Sequence, residues 1–302
     1  MRQQLCDALV GRATRPETVF MTGDLGFMVL EPLQEALGER FINAGVAEQN
    51  MVTVAAAMSS QGLEMWVYSI APFIYARPFE QIRNDVCFHN LPVKLIGNGG
   101  GYGYGVMGPT HHAIDDYGAL LTLPGLTVLI PAFNEDVDDV VAAAVAIDGP
   151  SYLRMGRGES PPGWPVPRFA PWRQLTSGGG PVVVAAGPLA GTYIEAFEAK
   201  PDDSRPNLWV VGALPFERYP LPDVLISQLE VSGSLCVAEE HVSQGSVAAQ
   251  LMLELAHRGV AVKRFKHLHA LAHNYDSYGS QHYLRKKSAL DPETMNNAVV
   301  LL

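Results

Sequence analysis

Short apolar strands alternate with helical segments along most of the chain, and this alternation restricts the fold more than any other feature. Residues 17–21, 65–70, 93–97 and 151–155 have the character of strands, and helical segments lie between them. Parallel strands of one sheet need crossover connections, usually helices, so this order predicts mainly parallel sheets with helices on both faces. We therefore expect an α/β protein.

A stretch rich in glycine and proline interrupts the alternation between residues 156 and 180. It includes PPGWP at 161–165 and has neither helical nor strand periodicity, as expected of an extended connection. A second series of strands and helices follows, and 302 residues suffice for two domains of ordinary size. The sequence thus predicts a first domain at 1–157, a linker at 158–180 and a second domain at 181–302, each domain with its own mainly parallel sheet.

Charge and cysteine content argue against several classes of protein. The net charge is −10, and the one basic run is Arg285-Lys286-Lys287, so neither nucleic acid nor an anionic membrane is expected as a main partner. No apolar run approaches a membrane span, and the start of the sequence lacks a basic-then-apolar signal pattern. Cys6, Cys87 and Cys236 are scattered without metal-site spacing, which suits a reducing compartment. We expect a cytoplasmic protein.

Glu48 lies where an acid is unusual. A short strand ends at Ile42, a turn follows at 43–45, and residues 51–58 are almost wholly apolar, which predicts a buried helix with Glu48 in its first turn. Full burial disfavours a carboxylate by on the order of 4–7 kcal/mol, whereas a helix end favours it by about 2 kcal/mol at most. We therefore expect a neutral carboxyl that donates a hydrogen bond. The alternative is an acid that only caps free helix amides.

A glycine-rich loop at 98–108 contains a formal G-x-G-x-x-G at Gly103, Gly105 and Gly108. A dinucleotide site also needs a helix that opens at the third glycine and an acid at the end of the next strand. Here Pro109 follows instead, and the next strand ends in apolar residues. Close backbone approach to another ligand, or a plain flexible loop, is the better interpretation.

Two adjacent histidines, His111 and His112, follow this loop, with Asp115 and Asp116 within one helical turn. The spacing lacks the ordered ligands of a metal site, so no metal is predicted in this chain. One histidine can face a cleft as a proton donor, or both can be solvated loop residues.

Arg154 lies where the strand at 151–155 leads into the linker. A guanidinium there can clamp a phosphate or carboxylate with two hydrogen bonds, or it can form a salt bridge between domains or subunits. Both interpretations stay open. Glu239, Glu240 and His241 end a strand of the second domain, where a structural or interface role is expected.

Together these segments resemble the thiamine-diphosphate enzymes of the transketolase group, over essentially the whole chain. GVAEQNMVTVAAAMSSQG is similar to the group's pyrimidine-domain signature and matches Glu48 to its cofactor-activating glutamate. PFIYARPFEQIR is similar to the segment that stacks on the cofactor's aminopyrimidine ring and matches that contact to Phe73. GDLG resembles the turn whose bulky residue, here Leu25, wedges the cofactor into its bent conformation. The same resemblance implies that Ile70 and Tyr75 line the cofactor site.

The resemblance also implies substrate contacts. GPTHHAIDD matches His111 to a catalytic, substrate-facing histidine, although His112 stays a candidate, and PSYLRMGR matches Arg154 to an arginine that binds substrate phosphate. The second domain resembles a C-terminal domain without catalytic residues. Met107 stands where many transketolases have an aspartate that contacts sugar hydroxyls, and Gly99 stands where a further histidine falls. Both departures predict a smaller, less phosphorylated or more apolar donor or acceptor.

The resemblance covers only half of a complete enzyme. In this group a G-D-G motif and a later asparagine hold the cofactor's diphosphate and Mg²⁺, and no G-D-G occurs in this sequence. We therefore expect a separate N-terminal, diphosphate-binding subunit that holds Mg²⁺. The active site is then expected between chains, with two copies of each subunit.

The activity that the resemblance implies is transfer of a ketol unit from a ketose-type donor to an aldehyde-type acceptor, with thiamine diphosphate as cofactor. The alternative with the same cofactor is the beta subunit of a 2-oxo-acid dehydrogenase's decarboxylating component. A third hypothesis is a non-catalytic partner that has lost cofactor binding. The presence of both Glu48 and Phe73 argues against that third hypothesis.

Overall fold

Two β-sheets flanked by helices form the framework of the chain. The computed structural model describes residues 1–273 and 276–302. The strands are β1 Thr18–Thr22, β2 Phe41–Asn43, β3 Glu64–Ile70, β4 Lys94–Asn98, β5 Thr127–Leu129, β6 Ser151–Met155, β7 Trp172–Gln174, β8 Val182–Ala186, β9 Asn207–Val211, β10 Ala213–Leu214, β11 Ser234–Glu239 and β12 Arg264–His269. The helices are α1 Arg2–Arg12, α2 Glu31–Leu37, α3 Glu48–Ser59, α4 Ala71–Ala76, α5 Phe79–Gln81, α6 Asp116–Leu120, α7 Val137–Val145, α8 Ile194–Glu198, α9 Asp223–Ser232, α10 Val247–His257, α11 Gln281–Lys287 and α12 Pro292–Val300.

The first sheet has seven strands in the spatial order β10-β5-β6-β4-β3-β1-β2. Every neighbouring pair is parallel except β10 and β5, so the predicted α/β fold with mainly parallel sheets is confirmed. In the register, Thr22 at the end of β1 lies beside Asn43 and Tyr68, and Ile70 lies beside Asn98. The carboxyl ends of these strands therefore meet at one edge, where α/β folds place ligand sites.

The second sheet has five strands in the order β12-β11-β8-β9-β7, of which only β7 and β9 pair in the antiparallel sense. We call the first sheet with α1–α7 the first unit, and the second sheet with α8–α12 the second unit.

Two short strands complicate the predicted domain boundaries. Strand β7 lies inside the predicted linker 158–180 but joins the second sheet, and β10 pairs with β5 of the first sheet although it lies within 181–302. The expectation that the whole of 158–180 is without strand structure is therefore wrong at 172–174. Three residues are too few to show the alternation that identifies a strand.

The helical path that follows β3 is interrupted. Helix α4 ends at Ala76, α5 begins at Phe79, and a π-helical turn follows at Ile82–Cys87. Pro78 lies in the interruption, where it cannot donate a backbone hydrogen bond to the helix. Arg77 therefore projects from a break in the helical path.

The nearly continuous apolar sequence of helix α3 predicts burial on all sides. In the structure the helix is buried along one face only. Thr53 and Ala57 are exposed. The buried face repeats at spacings of three and four, as in an amphipathic helix. Its members are Glu48, Met51, Val52, Ala55, Ala56 and Ser59. Glu48 is thus the first residue of the face that packs against the sheet.

The apolar core continues from one unit to the other. A single cluster of buried side chains includes Leu95 and Tyr152 of the first unit together with Val184 and Leu251 of the second. Separately, no helix within the described residues combines the length and the apolar character that crossing a membrane requires.

Candidate active site

Glu48 lies at the sheet edge where β1 and β3 end. It is buried, with 3% of its surface exposed, as its place in the sequence predicts. Ser69 of β3 donates a hydrogen bond from Oγ to Glu48 Oε1 at 3.3 Å. A Cβ added at Gly23, which follows β1, would lie 3.5 Å from the same oxygen. Three elements of the first unit therefore converge on one carboxyl group.

Arg77 is the cation that pairs with this acid. Its Nη1 donates hydrogen bonds to both Oε1 and Oε2 of Glu48, each at 2.9 Å. Its Cζ lies 3.7 Å from the centre of the Phe73 ring, in a cation–π contact. The expectation of a neutral Glu48 considered burial and the helix end but no cation, and Arg77 supplies that missing partner.

Sequence reasoning placed Arg77 beside the aromatic cluster but gave it no role. Two signals were available. A buried acid generally needs a partner, and residues four apart on a helical path face the same side, as Phe73 and Arg77 do.

His111 lies against the Phe73 ring. The two rings meet edge to face with centres 5.1 Å apart, and the Tyr104 ring lies 6.4 Å from the imidazole. Thr110 Oγ1 and His111 Nδ1 are 3.0 Å apart. Burial, and then the positive charge of Arg77, lower the pKa of His111 below its usual 6.5. The imidazole is therefore neutral near pH 7 and keeps one N–H to donate.

His112 points into the protein instead. It is buried, its Nε2 lies 3.2 Å from the Gly105 carbonyl oxygen, and its ring meets Tyr102 edge to face at 5.3 Å. Burial lowers its pKa as well. Of the two histidines that the sequence left as candidates, His111 is the one beside Phe73.

The glycine-rich loop is held in place by packing. Gly99 has a φ of +80°, and a Cβ there would lie 2.2 Å from the Tyr104 ring. Asn98 donates a hydrogen bond to the Tyr104 hydroxyl at 2.5 Å. No helix opens at Gly108, where a short 3₁₀ turn of Pro109–His111 follows instead. The loop thus lacks dinucleotide-site geometry, and Tyr104 fills the space that a side chain at 99 would take.

Arg154, the predicted contact for substrate phosphate, is engaged in hydrogen bonds within the chain. The residue is 4% exposed, and its Nε donates to Asp116 Oδ2 at 2.7 Å. Its Nη2 donates to the carbonyl oxygens of Ala113 and Glu240, at 2.8 Å and 3.0 Å. Because these bonds join the first unit to the second, the structure supports the alternative of an interdomain contact.

The other predicted cofactor contacts lie at the same sheet edge. Leu25 is partly buried in the turn after β1, where its backbone exchanges hydrogen bonds with the Thr22 hydroxyl. Ile70 is buried at the end of β3. Tyr75 is buried in α4, and its hydroxyl donates to Asp115 rather than projecting freely. Its burial and that hydrogen bond raise the pKa of Tyr75.

No group of three or more His, Cys, Asp or Glu residues suited to a metal ion occurs in the parts of the chain that the structure describes. Glu239 accepts hydrogen bonds from Tyr117, from His267 and from two amides, which is a structural arrangement.

Comparison with known proteins is consistent with this geometry. The family described as "Transketolase, pyrimidine binding domain" matches residues 10–162. The chain belongs to the transketolase family. The match begins within α1 and runs past the end of β6, and so includes Glu48, Phe73 and His111.

Two curated relatives illustrate the range within this family. 1-Deoxy-D-xylulose-5-phosphate synthase 2 of Geobacter sulfurreducens is 32% identical over 269 residues, which are 84% of this chain and 41% of that protein. One subunit of the apulose-4-phosphate transketolase of Phocaeicola vulgatus is 32% identical over 162 residues, which are 53% of this chain and 52% of that protein. The aligned regions therefore span about half the length, or less, of these relatives.

Two solved structures have the same fold. One is described as "Split gene transketolase, inactive beta4 tetramer", with a TM-score of 0.84 and 27% identity, and the match covers 99% of this chain and 97% of that one. The transketolase of Leishmania mexicana gives a TM-score of 0.77 at 18% identity. That match covers 100% of this chain and 45% of the Leishmania chain. This transketolase-family chain thus corresponds to the C-terminal half of the longer enzyme.

Proposed function

We propose that this chain is the C-terminal, beta-type subunit of a split thiamine-diphosphate-dependent enzyme that transfers a ketol unit from a ketose-type donor to an aldehyde-type acceptor. The observation that carries the proposal is a buried acid, Glu48, joined through Arg77 to the face of the Phe73 ring, with His111 in edge-to-face contact with the same ring. The split-gene transketolase of nearly equal length, and the relative whose name makes it one subunit of a transketolase, support the division of the enzyme.

The residues fit the aminopyrimidine end of thiamine diphosphate. The Arg77 guanidinium hydrogen-bonds Glu48 and stacks on Phe73 at the same time. A planar ring with hydrogen-bonding nitrogens needs the same two contacts. The spacing between the carboxyl group and the aromatic face therefore suits such a ring once Arg77 has moved aside.

When bound, thiamine diphosphate supplies a carbon nucleophile and an electron sink. In the proposal Glu48 holds the pyrimidine ring by a hydrogen bond, Phe73 supports its face, and Leu25 and Ile70 border the same site. His111, being neutral, donates a hydrogen bond to the substrate oxygen on which negative charge develops. Tyr75 supports the site indirectly, because its hydroxyl donates its hydrogen bond to Asp115.

An exposed apolar border around the site supports a partner subunit. Five large apolar residues are each more than half exposed, and all lie in loops that follow β1, β2 and β4: Phe27, Met28, Val46, Val106 and Met107. Such a grouping marks an interaction surface more often than isolated apolar residues do. We propose that the N-terminal subunit covers this edge and holds the diphosphate and Mg²⁺, in an assembly with two copies of each subunit.

The proposal is tested with the chain co-purified with its partner, in the presence of thiamine diphosphate and Mg²⁺. A ketose donor with an aldose acceptor is compared with a 2-oxo acid and an artificial electron acceptor, which is the dehydrogenase reaction. We expect turnover with the ketose and aldose, and none from either subunit alone. Turnover only with the 2-oxo acid contradicts ketol transfer, and turnover by this chain without a partner contradicts the divided enzyme.

A further inference from the structure

We propose that Arg77 occupies the place of the cofactor's aminopyrimidine ring in the free chain and must leave both Glu48 and Phe73 before the cofactor binds. The inference rests on the proposed function, because it assumes that thiamine diphosphate binds at Glu48. It goes beyond that function by assigning a gating role to a residue that neither binds the substrate nor holds the cofactor.

One side chain satisfies both recognition groups of the site. Arg77 Nη1 reaches the two carboxylate oxygens of Glu48 at 2.9 Å, while its Cζ lies 3.7 Å above the Phe73 ring. The guanidinium is planar, donates hydrogen bonds and stacks on aromatic faces, which are the properties that the aminopyrimidine ring shares with it. Both groups cannot use the same carboxylate and the same ring face at once.

Arg77 is more exposed than Arg154 and bonds fewer residues. The Arg77 side chain is 41% exposed, follows the last residue of α4 and precedes Pro78. The hydrogen bonds that it makes with the described residues both go to Glu48. Arg154, in contrast, is 4% exposed and bonds three separate residues of two units. Among the described residues, a single acidic side chain therefore holds Arg77 over the site.

The competition predicts how affinity depends on Arg77. If the competent chain, with Arg77 displaced, is a minor fraction, the apparent dissociation constant rises by the inverse of that fraction. Because Arg77 is partly exposed, its ion pair is screened by solvent, and we expect a modest effect of about tenfold. Removal of Arg77 also leaves Glu48 buried with Ser69 as its remaining side-chain partner among the described residues, so the cofactor-free chain should become less stable.

The experiment measures binding of thiamine diphosphate, with Mg²⁺, to the co-purified pair by calorimetry, and thermal unfolding of the same pair without cofactor. The variants are Arg77→Ala and Arg77→Met, the second of which keeps an unbranched stem over Phe73 without a bond to Glu48. Arg83→Ala is the matched control, because Arg83 is also exposed and bonds only Asn84 among the described side chains. We expect the two Arg77 variants to bind about tenfold more tightly and to unfold at a lower temperature, with Arg83→Ala unchanged in both.

Equal or weaker binding by both Arg77 variants overturns the inference, since Arg77 would then be neutral or would contribute to the bound state. An unchanged unfolding temperature also overturns it, because the ion pair with Glu48 would not form in solution. Failure of the wild-type pair and all variants to bind thiamine diphosphate is a different result, which contradicts the proposed function itself. The two failures are therefore distinguishable.

Discussion

At the scale of single residues, one cation influences both candidate catalytic groups. Arg77 bonds the two carboxylate oxygens of Glu48, and its charge, after burial, is the second cause of the lowered pKa of His111. Glu48 receives a second donor from Ser69 of β3, whereas His111 is positioned mainly by packing against Phe73. The acid is thus fixed by polar contacts and the histidine by an aromatic one.

His111 should act as a neutral hydrogen-bond donor, and this can be tested through pH. Because its folded pKa lies below 6.5, the imidazole gains its proton as the pH falls below that value. We expect kcat/KM of the pair to decline on the acid side below pH 6.5. In His111→Asn this decline should be absent and activity should fall by about 100-fold, since general acid–base groups contribute at least that much.

The control for this measurement is His112→Asn, because His112 packs against Tyr102 away from Phe73. It is expected to lower the stability of the chain rather than to alter the acid limb of the profile. An acid limb that persists in His111→Asn, or that vanishes in His112→Asn, contradicts the assignment.

Local motifs in the sequence supply three residues of the candidate site. Glu48, Phe73 and His111 belong to segments whose neighbours identify them, and the three lie together in the structure. The contacts that Arg154 makes within the chain were not predictable, because its partners, Asp116 and Glu240, are 38 and 86 positions away, where spacing gives no information. Arg77 was visible, yet its role emerges only when the side chains of α3 and α4 are seen to face each other.

At the scale of secondary-structure elements, short strands tie the two units together. β7 belongs to the second sheet, but Arg173 within it is buried and donates to both oxygens of Asp136 in the first unit, at 2.6 Å and 2.7 Å. The Asp136 carboxylate also accepts hydrogen bonds from the amides of Ala132 and Phe133. The segment that sequence composition marks as a linker is therefore anchored at this strand.

Breaking this anchor should cost far more than breaking a surface pair. In Arg173→Ala the Asp136 carboxylate stays buried without its cation, and we expect a loss of about 3–5 kcal/mol in the free energy of unfolding in urea. Arg168→Ala is the matched control, because Arg168 pairs with Asp139 at the exposed surface, and it should show no measurable change. Similar losses in the two variants contradict the anchoring role of β7.

At the scale of the whole molecule, a buried acid joins the two units. Glu239 at the end of β11 accepts a hydrogen bond from Tyr117 of α6 in the first unit, and from His267 Nε2 at 2.8 Å. The amides of Val247 and Ala248, at the start of α10, donate to it at 2.8 Å and 3.0 Å. Burial acts to raise the pKa of Glu239, but these hydrogen bonds outweigh it, and the pKa is lowered from its usual 4.5.

The lowered pKa predicts how stability depends on acid. Glu239 stabilises the fold above pH 4.5, and its contribution is lost as the pH falls through the lower folded pKa. We expect Glu239→Gln to reduce the free energy of unfolding at pH 7 by about 3 kcal/mol, and this difference should shrink as the pH falls below 4.5. Denaturant titrations across pH measure both. The control is Glu254→Gln, which removes a partly exposed pair with Arg258 and should differ little from wild type in stability at any pH. A stability difference for Glu239→Gln that stays constant with pH contradicts the account.

The general architecture was predictable because alternating strands and helices leave few topologies, and the predicted parallel sheets are observed. The pairing of β7 with the second sheet and of β10 with the first was not predictable, because strands of two or three residues carry no periodic signal. The interrupted helix near Pro78 is a second feature that the sequence predicts only in part. A proline predicts an interruption of the helix, but it does not predict the direction of the preceding arginine side chain.

The central claim is that Glu48 engages the pyrimidine end of thiamine diphosphate, and its most direct test is the turnover of Glu48→Gln in the co-purified pair. This substitution keeps the shape of the side chain and removes its acid, so we expect the pair to stay folded while kcat for ketol transfer falls by at least about 100-fold. Glu35→Gln, an exposed acid on α2, is the control and should keep wild-type turnover. Substantial ketol transfer by the Glu48→Gln pair would contradict the claim.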